Sequence, residues 1–171
     1  MRTAAVLGAL IAALALQTTI SGISMAGATR VNLVLVVVIY AALAFGAATG
    51  LLAGTAGGLA QDALTGGVIG VGGLSKTMVG FLVGVLGAQF IVAQPLTRFV
   101  MFVGATFLHE VCYQGLFAVV ESRHFRMQYS TTLIQALVNA VIGIVAFLVV
   151  EKGPEMHQRR QSRPVFGRRR F

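Results

Sequence analysis

Two adjacent ionisable residues interrupt an otherwise apolar stretch of the chain. His109 and Glu110 lie within Phe99–Val120, which carries no other charged side chain. An ionisable group at the centre of a bilayer costs roughly 2.5–3.5 kcal/mol on insertion scales, so it must face other helices or be neutral. Residues four apart lie on the same face of a helix. One such polar face consists of Thr106, Glu110 and Gln114, and a second, in the last apolar stretch, consists of Gln135 and Asn139.

These two polar faces allow two interpretations. In the first, hydrogen bonds between them fix the register of the last two helices, and Glu110 helps to hold the helices together. In the second, Glu110 belongs to a proton relay or a ligand pocket. Because such sites usually draw several acids from separate spans, we favour the packing interpretation.

The sequence lacks the residue patterns of enzyme active sites. His109, His124 and His157 are far apart, and no two acidic residues form a close pair. The single cysteine, Cys112, lies in an apolar stretch, where we expect an inert small side chain. The sequence therefore predicts a protein that is not an enzyme and has no metal site and no cofactor.

Composition places these polar residues in a membrane protein. Of the 171 residues, 57% are hydrophobic and only 11% are charged. Soluble domains carry roughly a quarter charged residues. We therefore predict an all-α integral membrane protein, with a transmembrane domain over residues 1–151 and a basic tail over residues 152–171.

Apolar runs mark the spans of this domain. A helix needs about 20 apolar residues to cross the hydrocarbon core, and Gly46 divides one run that is too long for a single upright span. Five spans remain an alternative, and the first span could instead be a cleaved signal peptide. We predict six helices, at about Ala4–Ile20, Val31–Phe45, Ala47–Leu64, Leu74–Val92, Leu96–Val120 and Thr131–Val150.

The basic residues set the predicted orientation. The net charge is +8, and seven of the 13 basic residues lie in the last 20 positions. With six spans, nine basic residues (Arg2, Arg98 and seven in the tail) share one side, and four (Arg30, Lys76, Arg123 and Arg126) share the other. The positive-inside rule then places the tail in the cytoplasm. There we expect contact with anionic lipids rather than nucleic acid, through Arg159, Arg160, Arg163, Arg168, Arg169 and Arg170.

Glycines follow the helical repeat on the third and fourth predicted spans. Such rows let another helix approach until the backbones nearly touch, so we predict a tight hairpin of these two spans. The same groove is a candidate for contact with a partner helix. Its residues are Gly46, Gly50, Gly54 and Gly58 on one span and Gly80 and Gly84 on the other.

A glycine-rich connection joins these two spans. It lacks the Lys-Ser/Thr ending of a phosphate-binding loop. Asp62 closes the span before it, and Lys76 opens the span after it. Two alternatives stay open: the two charges pair and pin the loop, or each is solvated separately at the interface.

The glycine-rich segment also carries a family resemblance. The stretches Val31–Tyr40, Gly50–Leu64 and Gly70–Leu74 are similar to the rod shape-determining protein MreD family. The pattern is a glycine-rich helix that ends in Gln-Asp, a short loop of small residues and the start of the next helix. The arginine-rich tail and the short Phe45-Gly46-Ala47 turn depart from that pattern.

The resemblance implies a fold and a set of partners. The fold would resemble the substrate-binding membrane subunits of energy-coupling-factor vitamin transporters. The protein would be a non-catalytic scaffold of the bacterial inner membrane that acts in rod cell-shape determination and lateral peptidoglycan synthesis. Its expected partners are MreC, RodA, a class B penicillin-binding transpeptidase and, indirectly, MreB.

Two other functions compete with the scaffold. A substrate-binding subunit of a vitamin-type transporter would need a pocket of converging polar groups, which Glu110, Gln114, Gln135 and Asn139 could supply. A channel or proton path would rest on Glu110 alone. We favour the scaffold.

Overall fold

The computed structural model describes residues 2–23, 31–66, 68–90, 94–122 and 128–161. Within these ranges the chain forms six α-helices, so the prediction of an all-helical bundle of about six helices is confirmed. They are α1 (Arg2–Ile23), α2 (Leu33–Phe45), α3 (Ala47–Thr65), α4 (Val71–Gln89), α5 (Pro95–Val120) and α6 (Tyr129–Gln161).

Four of the described helices are long and apolar enough to cross a membrane: α1, α4, α5 and the Tyr129–Val150 part of α6. The helix α2 has only 13 residues, or about 20 Å at 1.5 Å per residue. The helix α3 is longer, but it carries four glycines as well as Gln61 and Asp62. Of these two less typical helices, α2 contacts every other described helix, whereas α3 contacts α1, α2 and α4.

Consecutive helices run antiparallel. The side chain of Gln17, late in α1, accepts a hydrogen bond from the backbone N–H of Val34, at the start of α2. Gly58, late in α3, packs against Gly73, early in α4. We call the end of the bundle that carries the α3–α4 turn the Gly70 end, and the opposite end the Gly46 end.

The short helix α2 forms the centre of the bundle. It contacts each of the other described helices, and Leu35, Val38 and Ile39 are fully buried. A helix that is apolar all round is stable only when other elements cover every side. Two apolar clusters do so, one shared with α1 and α3 and one shared with α4, α5 and α6.

Glycine allows the two sharp changes of direction beside α3. Gly46 ends α2 and begins α3 with a φ of 92°, and Gly70 precedes α4 with a φ of 104°. Residues with a Cβ rarely adopt such angles. The α2–α3 and α3–α4 connections can therefore be short, and this brings the glycine rows of α3 and α4 into register.

Large apolar side chains cover the outside of the bundle. Exposed examples lie on α1 (Ile11), α5 (Val119) and α6 (Val149). This surface would be unfavourable in water and is suited to lipid. The helix α6 runs on past Val150 to Gln161, so the first part of the predicted tail is helical.

Candidate polar site inside the bundle

A buried histidine forms the centre of a polar cluster between α2, α4 and α5. His109 is 3% exposed. Its Nδ1 lies 3.0 Å from the Ser75 hydroxyl on α4, and its Nε2 lies 3.4 Å from the side-chain nitrogen of Asn32, the residue that caps α2. Both ring nitrogens therefore have partners on other elements.

The surrounding hydrogen bonds select one form of this imidazole. The Asn32 oxygen accepts from the backbone N–H of Leu35 at 3.1 Å, so its nitrogen faces His109 and donates to Nε2. The Ser75 hydroxyl donates to the Gly72 carbonyl at 3.2 Å and can accept from Nδ1–H. Both ring nitrogens then have a suitable partner when the ring is neutral and carries its proton on Nδ1.

Asn139 extends the cluster to α6. Its side-chain oxygen accepts from the backbone N–H of Asn32 at 3.3 Å, and its nitrogen donates to the Thr106 hydroxyl at 3.5 Å. The Thr106 hydroxyl in turn donates to the Phe102 carbonyl at 2.8 Å. Four helices, α2, α4, α5 and α6, are thus joined by groups that satisfy one another.

Polar groups that bond to one another in this way hold helices together and are poorly suited to catalysis. A buried donor or acceptor that loses its partner costs roughly 1–3 kcal/mol, so each member holds the others in place. A general base needs a lone pair that points at a substrate. At His109 both nitrogens are already engaged.

Asp62 joins α3 to the first turn of α4. One of its carboxylate oxygens accepts hydrogen bonds from the backbone N–H groups of Gly70, at 2.9 Å, and Gly73, at 3.0 Å. Those N–H groups belong to the start of a helix, where a negative charge is stabilised by the helix dipole. The loop between the two helices is thus held by a carboxylate bound to backbone.

Lys76 is 2% exposed and lies in the second turn of α4. It forms no hydrogen bond or ion pair with any described residue. The carboxylates of Asp62 and Glu110 both interact with it electrostatically. The sequence leaves two alternatives for Asp62 and Lys76, a charge pair that pins the loop or separate solvation at the interface; in the structure both side chains are buried.

Glu110 is half-buried, and its carboxylate accepts a hydrogen bond from the Gln114 side chain at 2.9 Å. This bond lies within α5 and does not reach α6. Gln135 is buried on α6 without a hydrogen bond to a described residue. Of the two predicted polar faces, Thr106 and Asn139 are therefore the residues that the structure brings together.

The glycine rows of α3 and α4 face each other. A Cβ at Gly50 would overlap the carbonyl of Gly80, and one at Gly54 would overlap the backbone of Lys76. Gly84 packs likewise against the backbone of Ala47. The glycine rows of α3 and α4 thus pack against residues of the same chain. Gly46 differs, because it lies at the turn with open space around it.

Asn32 and Ser75 were not expected at this site. Asn32 directly precedes an apolar run, which is a helix-capping position, but that signal alone does not show a contact with another helix. Ser75 is a small polar residue beside Lys76 and has no distinguishing pattern. Their roles depend on the packing of α2 and α4 against α5.

The predicted lipid-binding residues lie beyond the described side chains. Arg159 and Arg160 belong to the last turns of α6, whose side chains are outside the described part. Arg163, Arg168, Arg169 and Arg170 lie outside the described residues altogether.

The chain matches the model of a known protein family. The family model described as rod shape-determining protein MreD matches residues 2–153. No curated protein and no solved structure matches the chain.

Proposed function

The chain belongs to the family of rod shape-determining protein MreD, and we propose that it is a non-catalytic scaffold in the inner-membrane machinery for lateral peptidoglycan synthesis. The family match over residues 2–153 carries this proposal. The family is one of multi-pass membrane proteins with a role in rod shape and is not a known enzyme family. In this mechanism the helical bundle is rigid and holds its partner proteins in position.

The polar network supports this mechanism. Asn32 at the start of α2 bonds to His109 on α5 and to Asn139 on α6, so these side chains join three helices. A transport subunit would need such groups to converge on a ligand. Because here they stabilise the contacts between helices, the geometry favours a scaffold over the vitamin-transport alternative.

We propose MreC as the direct partner, with RodA and a class B penicillin-binding transpeptidase in the same assembly and MreB reached indirectly. The exposed apolar faces of α1, α5 and α6 supply a surface for partner helices. Membership of a shape-determining family supports a role in such a complex.

Basic residues support an inner-membrane orientation with a cytoplasmic C-terminus. Because Lys76 is buried in α4, it does not count as a loop charge. In the predicted order of spans, three loop charges (Arg30, Arg123 and Arg126) then share one side of the membrane, against nine (Arg2, Arg98 and seven in the tail) on the other. This larger bias favours the Gly46 end as the cytoplasmic one. The tail there would bind anionic lipids at about 1 kcal/mol per basic residue.

Depletion in a rod-shaped bacterium tests the proposal. We expect depleted cells to become round and a plasmid copy of the chain to restore the rod. Tagged protein should co-purify with MreC from detergent-solubilised membranes. Unchanged shape together with lost vitamin uptake would instead support the transport subunit.

A further inference from the structure

The second half of α5 is covered less completely than the first half. Residues 110–120 are all half-buried or exposed, and Val111 is 44% exposed. Among the described helices, α5 contacts α2, α4 and α6. The second half of α5 therefore keeps surface for a further contact inside the membrane. The buried residues of this helix all lie at or before position 109: Phe102, Ala105, Thr106 and His109.

Glu110 and Gln114 lie one turn apart on this part of α5, and both are half-buried. Successive residues of a helix point about 100° apart, so Glu110 lies on the flank between the buried His109 and the exposed Val111. The Gln114 side chain donates to one oxygen of the Glu110 carboxylate at 2.9 Å. The two side chains thus form a polar pair at the border between the core and the outer surface of the bundle.

Hydrogen bonding within this pair leaves capacity unused. A carboxylate has two accepting oxygens, and a primary amide has one accepting oxygen and two N–H donors. Within the described part of the chain, the bond between Glu110 and Gln114 is the only hydrogen bond of either side chain. Further hydrogen bonds are therefore available from the second Glu110 oxygen, the Gln114 oxygen and one Gln114 N–H.

The depth of the pair makes this unused capacity costly. Glu110 is 15 residues after Pro95 and 10 before Val120, or about 22 Å and 15 Å from the two ends of α5 along the axis. Polar groups this far inside a membrane are unfavourable unless other protein groups bond to them. Lipid tails cannot do so, whereas polar side chains of a neighbouring helix can.

The chemistry of the pair selects its partner. Because the pair offers acceptors and a donor, a hydroxyl or amide side chain, which both donates and accepts, matches it. A purely apolar helix would leave the pair as unsatisfied as lipid does. A symmetric contact with a second copy of the chain would bring two Glu110 carboxylates together, and like charges at an interface are unfavourable.

We propose that Glu110 and Gln114 are the docking point for a transmembrane helix of a partner protein, which packs beside Val111 and hydrogen-bonds to the pair through a hydroxyl or amide side chain. This inference rests on the proposed scaffold function and assigns a surface to it. Docking needs hydrogen-bonding groups rather than a charge, so Glu110→Gln retains it.

Binding in lipid vesicles tests this surface. The full chain and MreC, the partner proposed above, are labelled for energy transfer and reconstituted together. Glu110→Leu combined with Gln114→Leu removes the hydrogen-bonding groups, and we expect the affinity for MreC to fall about tenfold. Glu110→Gln should bind as the unmodified chain does. The control is Val100→Leu, because Val100 is 59% exposed on the first half of the same helix, and its affinity should not change.

Thermal unfolding of the same variants separates docking from packing within the bundle. Because the bond of the pair lies within α5, the double leucine variant should unfold no more easily than the unmodified chain. Loss of affinity together with an equal loss of stability would contradict the proposal. Energy transfer between two copies of the chain that the same change abolishes would assign the surface to a dimer and overturn the proposed partner.

The binding data also distinguish this inference from the proposed function. Equal binding of MreC by the unmodified chain and by the double leucine variant would overturn the docking point alone. No binding by the unmodified chain would overturn the partner assignment of the proposed function, and this inference with it.

Discussion

The imidazole of His109 lies 3.0 Å from the hydroxyl of Ser75 and joins α5 to α4 inside the bundle. Through the other ring nitrogen the same side chain reaches Asn32 at the start of α2. One histidine thereby links α2, α4 and α5. Such a link fixes the positions of the three helices along their axes relative to one another. Apolar contacts alone specify these positions weakly, because lipid chains and leucine side chains are equally apolar.

Removing the Ser75 hydroxyl should weaken this link. Ser75→Ala leaves Nδ1–H of His109 without an acceptor, so we expect a loss of about 0.6–2 kcal/mol in the free energy of unfolding. The matched control is Ser130→Ala, because Ser130 is exposed at the start of α6. Unfolding in mixed micelles measures both, and equal stability of the two variants would contradict the role given to His109.

A large side chain at Gly54 should separate α3 from α4. Gly54→Leu would overlap the backbone of Lys76, which cannot move like a flexible side chain. Overpacking costs typically 1–3 kcal/mol and occasionally more, and we expect the upper part of that range. Gly104→Leu on α5 is the control, since open space surrounds Gly104. The melting temperature in detergent should fall for Gly54→Leu alone.

The Asp62 carboxylate should protect the first turn of α4 from hydrogen exchange. Asp62→Ala removes the acceptor for the Gly70 and Gly73 amides. A hydrogen bond to a charged group contributes about 1.5–3 kcal/mol, so exchange there should rise about tenfold or more. Asp62→Asn keeps an oxygen acceptor without the charge and should give an intermediate rate.

The control for this experiment lies within the same chain. The first turn of α2 is capped by Asn32, which bonds the Leu35 amide independently of Asp62. Its exchange should stay unchanged in both Asp62 variants. If Asp62→Ala leaves exchange at Gly70 and Gly73 unaltered, the carboxylate does not hold the loop.

The buried position of Lys76 leads to a prediction on orientation. Because the proposed topology puts nine basic residues on the cytoplasmic side and three on the other, a fluorescent protein fused after Phe171 should fold in the cytoplasm, and alkaline phosphatase there should be inactive. Lys76→Met should not change this result, because Lys76 is not a loop charge. Inversion of the two reporters would contradict the proposed topology.

The sequence allowed the helices to be predicted, but it gave little information about their polar contacts. Apolar runs divided by Gly46 and by charged loops predict six helices, since each run must satisfy its backbone in lipid. Glycines four residues apart likewise predict close packing of α3 and α4, as Gly50 and Gly80 illustrate. Apolar runs and regularly spaced glycines are local features of the sequence, and both recur along the chain.

The polar site depends on contacts that no local pattern encodes. Glu110 is the obvious candidate in the sequence, yet its neighbour His109 forms the interhelical hydrogen bonds. Lys76 resembles a loop charge because it follows a glycine-rich segment, but α4 begins at Val71 and carries it inside. A shift of one residue around a helix turns a side chain by about 100°, so neighbours can have different surroundings.

We propose that helix packing, rather than a reactive group, performs the function of this protein. The most direct test compares two variants, Gly54→Leu and Glu110→Gln, for rescue of rod shape and capture of MreC in a depleted strain at matched membrane levels. Glu110→Gln can keep a hydrogen bond to Gln114, so we predict full rescue and capture, whereas Gly54→Leu should lose both. Loss of rod shape in Glu110→Gln with MreC still bound would contradict the account, because it would show that the carboxylate itself is required.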